Sequence, residues 1–331
     1  MPTVRVAVDA MGGDRAPDEI VAGAREARIP GIEPVLFGPR ELIQPLAPDL
    51  EVVHAPTVVR MHENPADAAR EKRDSSLFAA CRAVGQGDAD VVVSAGNTGG
   101  MLAAGLLEIG RLPEVSRPAI AAPIPARRGP SVLIDAGANA DARAEHLLQF
   151  AHMGAIFVEE ILGTRDPTVA LLSIGEEPGK GNRLARDSFR LLAADERLRF
   201  IGNMEGRLLL EGGADVVVCD GFTGNVSLKV LEGTIRTVLD EFREEVVRTK
   251  RGKVGGLLIR PAGRGLRRRL DPDTYGGGYL LGLKGLGVVA HGNSGRRAIV
   301  SAIQLGARGV QAGVVQRLAD RLATQVGATQ G

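Results

Sequence analysis

The chain has 331 residues, a hydrophobic fraction of 44% and a formal net charge of +1. That balance excludes an intrinsically disordered chain, which is poorer in apolar residues and more strongly charged, and a nucleic-acid-coating one, which is far more basic. The length admits one large or two ordinary domains with an ample core.

In chain order, TVRVAVDAMGGD (residues 3–14) reads as a strand and a glycine turn, and Pro17 suits the first turn of a helix running to about Arg28. The start lacks a basic segment followed by a long apolar run, and no stretch approaches the roughly 18 apolar residues of a membrane span, so a cytoplasmic location is expected. Shorter strands are expected near residues 34–38 and 51–55. In MHENPADAAREKRDSSLFAACRAVG, Pro65 favours a helix start and Asp74 or Ser75 starts the next helix.

ADVVVSAGNTGG (residues 89–100) then introduces a pattern that returns as ADVVVCDGFTGN (residues 214–225). Each copy opens with an apolar β-branched run without strict alternation, the mark of a strand buried on both faces of a parallel sheet. Each ends in glycines, with Thr98 and Thr223 where a helix cap is expected, and each is followed by apolar residues at helical spacing. Strand, glycine turn and helix N-terminus together leave free N–H groups and a positive dipole end at one spot, which suits an anion. SVLIDAGAN (residues 131–139) and GVVAHGNSG (residues 287–295) repeat the theme loosely. Ligands of open α/β sheets gather outside strand ends, so four such loops predict one cleft holding something anionic. Glycine numbers 44 of 331, well above its usual share of about 7%, as a loop-built site requires.

Between the copies, the prolines of SRPAIAAPIPARRG (residues 116–129) predict an extended crossing rather than a core strand. Residues 141–162 read as helix, TVALLSIGEEPGKGN (residues 168–182) as strand and polar loop, residues 183–194 as helix, residues 199–203 as a short strand, and residues 204–212 as a helical turn. This βαβα alternation predicts a doubly wound, mostly parallel sheet, residues 1–331 forming one catalytic unit in one lobe or two.

One segment breaks the alternation. From Leu228 the positions Leu231, Ile235, Val238, Phe242 and Val246 recur at steps of three and four, so the helix reaches about Thr249. It runs into RTKRGKVGGLLIRPAGRGLRRRLDP, with nine Lys or Arg and no acid between Arg248 and Arg269. Residues 228–270 thus read as a protruding helical hairpin with two uses. Its apolar stripe pairs with a second subunit, and Leu257, Leu258 and Ile259 form an exposed tip ringed by cations that touches an anionic membrane surface.

Two cysteines, Cys81 and Cys219, give neither a disulfide framework nor metal-ligand spacing, and the five histidines form no paired-ligand pattern. No metal, cofactor or nucleic-acid partner is expected. The candidate site residues each have a plainer reading beside the functional one. Asn97 and Asn225 stabilise tight turns or touch the ligand. Lys180 is a solvated loop lysine or a phosphate cation, and His291 a cap or a catalytic or oxyanion-binding group. Asp9, Asp135 and Asp220 close their strands as positioners of the site wall rather than acids. Gly12, Gly13, Thr98, Asn139, Asn182 and Thr223 complete the expected substrate-binding set.

VAVDAMGGD, PxDAxREKRDSS, SAGNTGG, DAGAN, SIGEExxKGN, GNMEGR, DGFTGN, YGGGYLLGLKG and AHGNS, in this order from Val6 to about Leu322, resemble the PlsX family of bacterial phosphate acyltransferases. The likeness is nearly full-length and departs locally at His291, Gly292, Asn293 and Ser294, where the family usually has His-Gly-Ser-Ser. The resemblance implies transfer of a fatty acyl group from acyl carrier protein to inorganic phosphate, the acyl phosphate feeding the membrane acyltransferase that starts phospholipid synthesis. It implies a fold similar to isocitrate and isopropylmalate dehydrogenases and phosphotransacetylases, a homodimer at the membrane surface, and a catalytic place for Lys72, which periodicity alone assigns to a charged helix face. The chemistry needs no activated nucleophile, because phosphate is already anionic and a thiolate is a good leaving group. Competing readings are phosphotransacetylase-type transfer from coenzyme A, a nicotinamide-dependent dehydrogenase, for which no GxGxxG opens a helix, and a thiol relay through Cys219.

Overall fold

The structure, a computed structural model, describes residues 2–127, 129–270 and 276–327. The first half contains β1 (Val4–Asp9), α1 (Asp18–Ala27), β2 (Ile32–Gly38), α2 (Arg40–Ile43), β3 (Glu51–His54), α3 (Pro65–Glu71), α4 (Ser76–Gln86), β4 (Val91–Ser94), α5 (Thr98–Ala104), β5 (Ala119–Ile124) and β6 (Ser131–Ile134). The second contains α6 (Ala144–Phe157), β7 (Thr168–Ser173), α7 (Arg183–Ala194), β8 (Arg199–Glu205), β9 (Val216–Val218), α8 (Gly221–Val247), α9 (Lys250–Leu270), β10 (Gly278–Leu281), β11 (Leu286–Val289), α10 (Arg296–Gln311) and α11 (Val314–Gly327).

Among the described residues the strands form one eleven-stranded sheet in the order β3-β2-β1-β4-β11-β10-β5-β6-β9-β7-β8. Side chains alternate between its faces, so β1 sends Val4, Val6 and Val8 into one apolar layer and Ala7 into the other. The first layer is completed by α1, α6, α7, α10 and α11, the second by α3, α4 and α5 with Leu228 and Leu231 of α8 at its margin. Helices on both faces of a mostly parallel sheet are the expected doubly wound architecture. No single described helix is long and apolar enough to cross a membrane.

Three antiparallel pairings, β11 with β10, β10 with β5 and β5 with β6, interrupt the parallel ones. Consequently β1 to β5 and β11 run one way while β6 to β10 run the other. The loops that follow β4 and β11 therefore open at the opposite edge from those that follow β6 and β9. What brings them together is α8, which starts beside Asn139, where the Gly221 N–H donates to the Asn139 carbonyl (2.8 Å), and climbs across the sheet face. By Glu232, about 16 Å up its axis at 1.5 Å per residue, it meets His291 on the loop after β11. The close start needs glycine, since a Cβ on Gly224 would overlap the Asp135 carbonyl oxygen.

Several expectations are corrected. Residues 119–124 are a strand at the centre of the sheet, not a crossing. Pro123 is tolerated because the Ile120 N–H and C=O point to the β6 side; by alternation the Pro123 nitrogen faces β10, whose registered pairing ends at Ala121. Thr98 and Thr223 are not caps. Asn97 caps α5 by accepting from Gly100 N–H (2.9 Å), and Asp220 caps α8 by accepting from both Thr223 N–H (2.9 Å) and Thr223 Oγ1 (2.7 Å). Met204 and Glu205 extend β8 before the short 3₁₀ turn Gly206–Leu208. The hairpin turns at Arg248 and Thr249, so Leu257, Leu258 and Ile259 lie within α9 rather than at the tip. Leu257 and Ile259 line a groove of about 870 Å³ with Leu239, Phe242 and Val246 of α8, while Leu258 is 76% exposed.

Candidate functional site

The deepest layer of the site consists of turns fixed from beneath. Asp9 closes β1 and is buried; it accepts from Ser94 Oγ (2.7 Å) and Met11 N–H (3.3 Å), and Ser94 Oγ in turn accepts from Gly96 N–H (3.0 Å). Burial raises its carboxyl above the ordinary value, opposed by hydrogen bonds from Ser76, Ser94 and the Met11 and Gly12 amides. Gly12 packs against Asp9 and Gly96, and Gly13, at φ +109°, lies under Gly292, whose carbonyl accepts from Asp14 N–H (2.7 Å). Asp9, Gly12 and Gly13 therefore join the loops after β1, β4 and β11, with Asp9 acting as a positioner.

Asp135 does the same for the other half of the sheet. It is fully buried and accepts five N–H bonds: from Ile120 (3.0 Å), Gly137 (3.1 Å) and Ala138 (2.9 Å) on one oxygen, and from Asn139 N–H (2.7 Å) and Nδ2 (2.9 Å) on the other. Asn139 is itself buried, donating also to the Pro118 carbonyl (2.8 Å). Both residues build the wall; neither is left free for a ligand.

Above these turns lies a cleft of about 130 Å³ across β5, β10 and β11. Its floor includes Ile120, Ala122 and Val289; Gly96 and Thr98 come from the loop after β4, Ala136 from the loop after β6, and His291 and Gly292 from the loop after β11. The facing wall is one stripe of α8: Asn225, Leu228, Lys229, Leu231, Glu232 and Ile235. The loops after β4, β6 and β11 thus reach one cleft, while the stretch after β9 reaches it only through Asn225 of α8, so the expectation of one cleft at all four strand ends is met in part; the cleft brings together Thr98, Asn225 and His291. Among the described residues nothing hydrogen-bonds the Asn225 side-chain amide, which lies against Gly137, whereas His291 Nε2 is 2.8 Å from Glu232 Oε1. The cleft can offer neutral amide and hydroxyl donors, one lysine and one imidazole to an anion or a developing oxyanion, with an apolar strip alongside.

The other expected residues fall elsewhere. Asn182, Asp220 and Thr223 line a separate crevice of about 250 Å³ at the ends of β7 and β9, with Ser173, Gly181 and Ser227. Asn182 caps α7 by accepting from Ala185 N–H (2.8 Å). Lys180, on the same loop, is exposed and lines neither cavity, its stem resting on Gly175. Asn97 is consumed structurally: beyond its cap, Nδ2 donates to the carbonyls of Met61 (3.0 Å) and Glu63 (2.9 Å). Lys72 Nζ donates to Glu63 Oε1 (2.6 Å) and the Val58 carbonyl (2.9 Å), and the first of these bonds holds the Glu63 carboxyl below its ordinary value. Lys72 and Asn97 together clamp residues 58–63, which set Met61 over the cleft. Cys219 borders the crevice but is buried, and burial raises its thiol well above the ordinary value, keeping it protonated.

Glu232 and Lys229 are not among the residues that the sequence singles out. Their signal is spacing: with Asn225 they recur at steps of four and three, one face of α8, but the apolar members of that face, Leu231 and Ile235, read in sequence as dimer packing alone.

The signature of a family described as "Fatty acid synthesis protein" matches residues 4–317. A phosphate acyltransferase of Heliobacterium modesticaldum is 43% identical over 98% of this chain and 99% of its own length. One of Thermobifida fusca is 47% identical over 91% of this chain and 86% of its own. Among solved structures, a phosphotransacetylase of Streptococcus pyogenes superposes with a TM-score of 0.59 at 16% identity, covering 93% of this chain and 94% of that one. A 4-hydroxythreonine-4-phosphate dehydrogenase of Klebsiella pneumoniae gives 0.52 at 12%, covering 92% and 98%. The structural likenesses speak for the fold alone.

Proposed function

We propose that this chain, which belongs to the phosphate acyltransferase family matched above, moves a fatty acyl group from the thioester of acyl carrier protein to inorganic phosphate, with acyl phosphate as product. The observation that carries the reading is the shared cleft, where Thr98, Asn225, Lys229 and His291 stand beside the apolar strip of Leu228, Leu231 and Ile235. The polar group suits phosphate and the thioester carbonyl; the strip suits the start of the chain. Phosphate attacks the carbonyl carbon, a C–O bond replaces the C–S bond, and the electron pair leaves on sulfur. Donors aimed at the tetrahedral oxyanion supply most of the rate. The decisive experiment mixes the protein with acyl-carrier-protein thioester and labelled phosphate and looks for labelled acyl phosphate. Transfer confined to coenzyme A thioesters sinks the carrier-protein reading.

Attack is direct, without an acyl-enzyme: Cys219 borders the separate crevice rather than the cleft and, being buried, is held as the thiol. Cys219→Ser is expected to retain at least about half of wild-type turnover, since a buried strand thiol acts as a small apolar group. A burst of thiol release stoichiometric with enzyme, before phosphate is added, contradicts this.

The hairpin holds two copies together through the apolar faces of α8 and α9 and presents the site to an anionic bilayer from the cytoplasmic side, where the product passes to a membrane acyltransferase. The cations between Arg248 and Arg269 contribute about 1 kcal/mol for each one near such a surface, screened by salt. Leu258 is more exposed than Leu257 or Ile259, and burying it adds roughly 1.5–3 kcal/mol. Leu258→Glu is expected to weaken co-sedimentation with anionic vesicles at least about ten-fold while transfer from soluble acyl carrier protein persists. Unchanged sedimentation, or a parallel loss of soluble activity, removes the membrane role.

A further inference from the structure

The cleft contains one carboxylate–imidazole pair, and its two members differ in how they are held. His291 sits on a loop whose backbone is pinned: Ala290 N–H donates to the Ser94 carbonyl (2.9 Å), Ser294 N–H to the His291 carbonyl (2.9 Å), and Asp14 N–H to the Gly292 carbonyl (2.7 Å). Glu232 Oε1 lies 2.8 Å from its Nε2, an ion-pair distance. Glu232 is the more shielded, its side chain 17% exposed against 33% for His291, and is carried on the stripe of α8 that also bears Asn225 and Lys229. Among the described residues Nδ1 has no partner.

We propose that Glu232 is a positioning residue that accepts the Nε2 proton of His291, so that Nδ1 faces the reactants and relays a proton from phosphate to the leaving sulfur. A carboxylate that accepts from one ring nitrogen selects the tautomer and leaves the other nitrogen as the base. Monohydrogen phosphate then forms its C–O bond to the thioester carbonyl carbon while its P–OH proton passes to Nδ1. The C–S bond breaks, the electron pair stays on sulfur, and Nδ1 returns the proton to give the free thiol. Atoms and charge balance with no further reactant. The relay rests on the phosphate-transfer reading above; the tautomer does not.

The test combines kinetics with spectroscopy on the full-length protein. Glu232→Ala is expected to lower kcat about 10–100-fold, as loss of an orienting partner does, with little change in KM for phosphate. Glu232→Gln keeps a carbonyl oxygen that accepts the same proton and recovers most of the activity. In a His291→Ala background Glu232→Ala costs nothing more, because the two act as one unit. With an aryl thioester, whose thiolate leaves unprotonated, the Glu232→Ala defect shrinks, which a purely structural role does not produce. Independently of turnover, the ¹⁵N signals of His291 in the wild-type protein report the Nε2–H tautomer. Additive losses in the double variant, a defect independent of the leaving group, or an Nδ1–H tautomer overturns the proposal. If the wild type makes no acyl phosphate, the transfer reading and the relay fall together; an active enzyme with additive losses removes only the positioning role.

Discussion

Replacing Asp135 by alanine is expected to cost about 3–5 kcal/mol of stability and to abolish turnover, because its two oxygens are the acceptors for five N–H groups, four on the backbone and one on the Asn139 side chain. At zero exposure, water does not replace them. Each buried donor left unmade costs about 1–3 kcal/mol, and relaxation of the turn recovers part of the sum. The damage is not local. Asn139 carries the carbonyl that receives the first N–H of α8, and the Asp135 carbonyl lies against Gly224, so the turn is the seat from which α8 sets Asn225 and Glu232 in the cleft. Asp135→Asn is expected to fall between, since one oxygen survives for Ile120, Gly137 and Ala138 while an NH₂ is turned against the donors of Asn139. Urea unfolding measures this as a shifted midpoint at unchanged slope. A loss below about 1 kcal/mol for the alanine variant contradicts the role given to these bonds.

The strand runs that carry such residues are legible in sequence because an unbroken β-branched run fits a central strand, covered on both faces, and little else. ADVVVSAGNTGG and ADVVVCDGFTGN contain β4 and β9, and the glycines after them mark the passage into α5 and α8, where a Cβ at Gly99, Gly221 or Gly224 would overlap a neighbour. The centre of the sheet is not legible. Pro123 reads as a break until the neighbouring strands are known, because its missing N–H matters only on the β10 side, and β10 lies more than 150 residues further along the chain. The reversal of direction through β10, β5 and β6 is equally non-local. Strand-end reasoning therefore places Asp220, Thr223, Asn182 and Lys180 in the same cleft as His291, whereas the crevice at β7 and β9 is separate. Glu232 stays hidden because a charged residue on a long, polar helix reads as solvated until the loop that meets it, distant in sequence, is in place.

The two asparagines that look equivalent in sequence separate in their effects, and the larger loss is expected at Asn225. They do not occupy matching places in the repeated stretch: Asn97 aligns with Phe222, and Asn225 with Gly100. Asn97 spends its oxygen on the Gly100 amide and its nitrogen on the carbonyls of Arg60, Met61 and Glu63, so Asn97→Ala removes a cap, worth about 1 kcal/mol, and loosens the loop that carries Met61. Asn225 makes no such bonds among the described residues and faces the cleft. On the proposed function its amide is therefore available to phosphate and the developing oxyanion, and losing one such donor costs about 10²–10³-fold in kcat. Asn225→Ala is accordingly expected to unfold at the wild-type temperature while losing about 100-fold or more in turnover. Asn97→Ala is expected to unfold earlier and lose turnover mainly through KM. Thermal melts and steady-state kinetics on the same samples distinguish them. Should Asn225→Ala keep near-normal kinetics at full stability, the reacting atoms lie outside this cleft, and the crevice lined by Asp220 and Thr223 becomes the site to test.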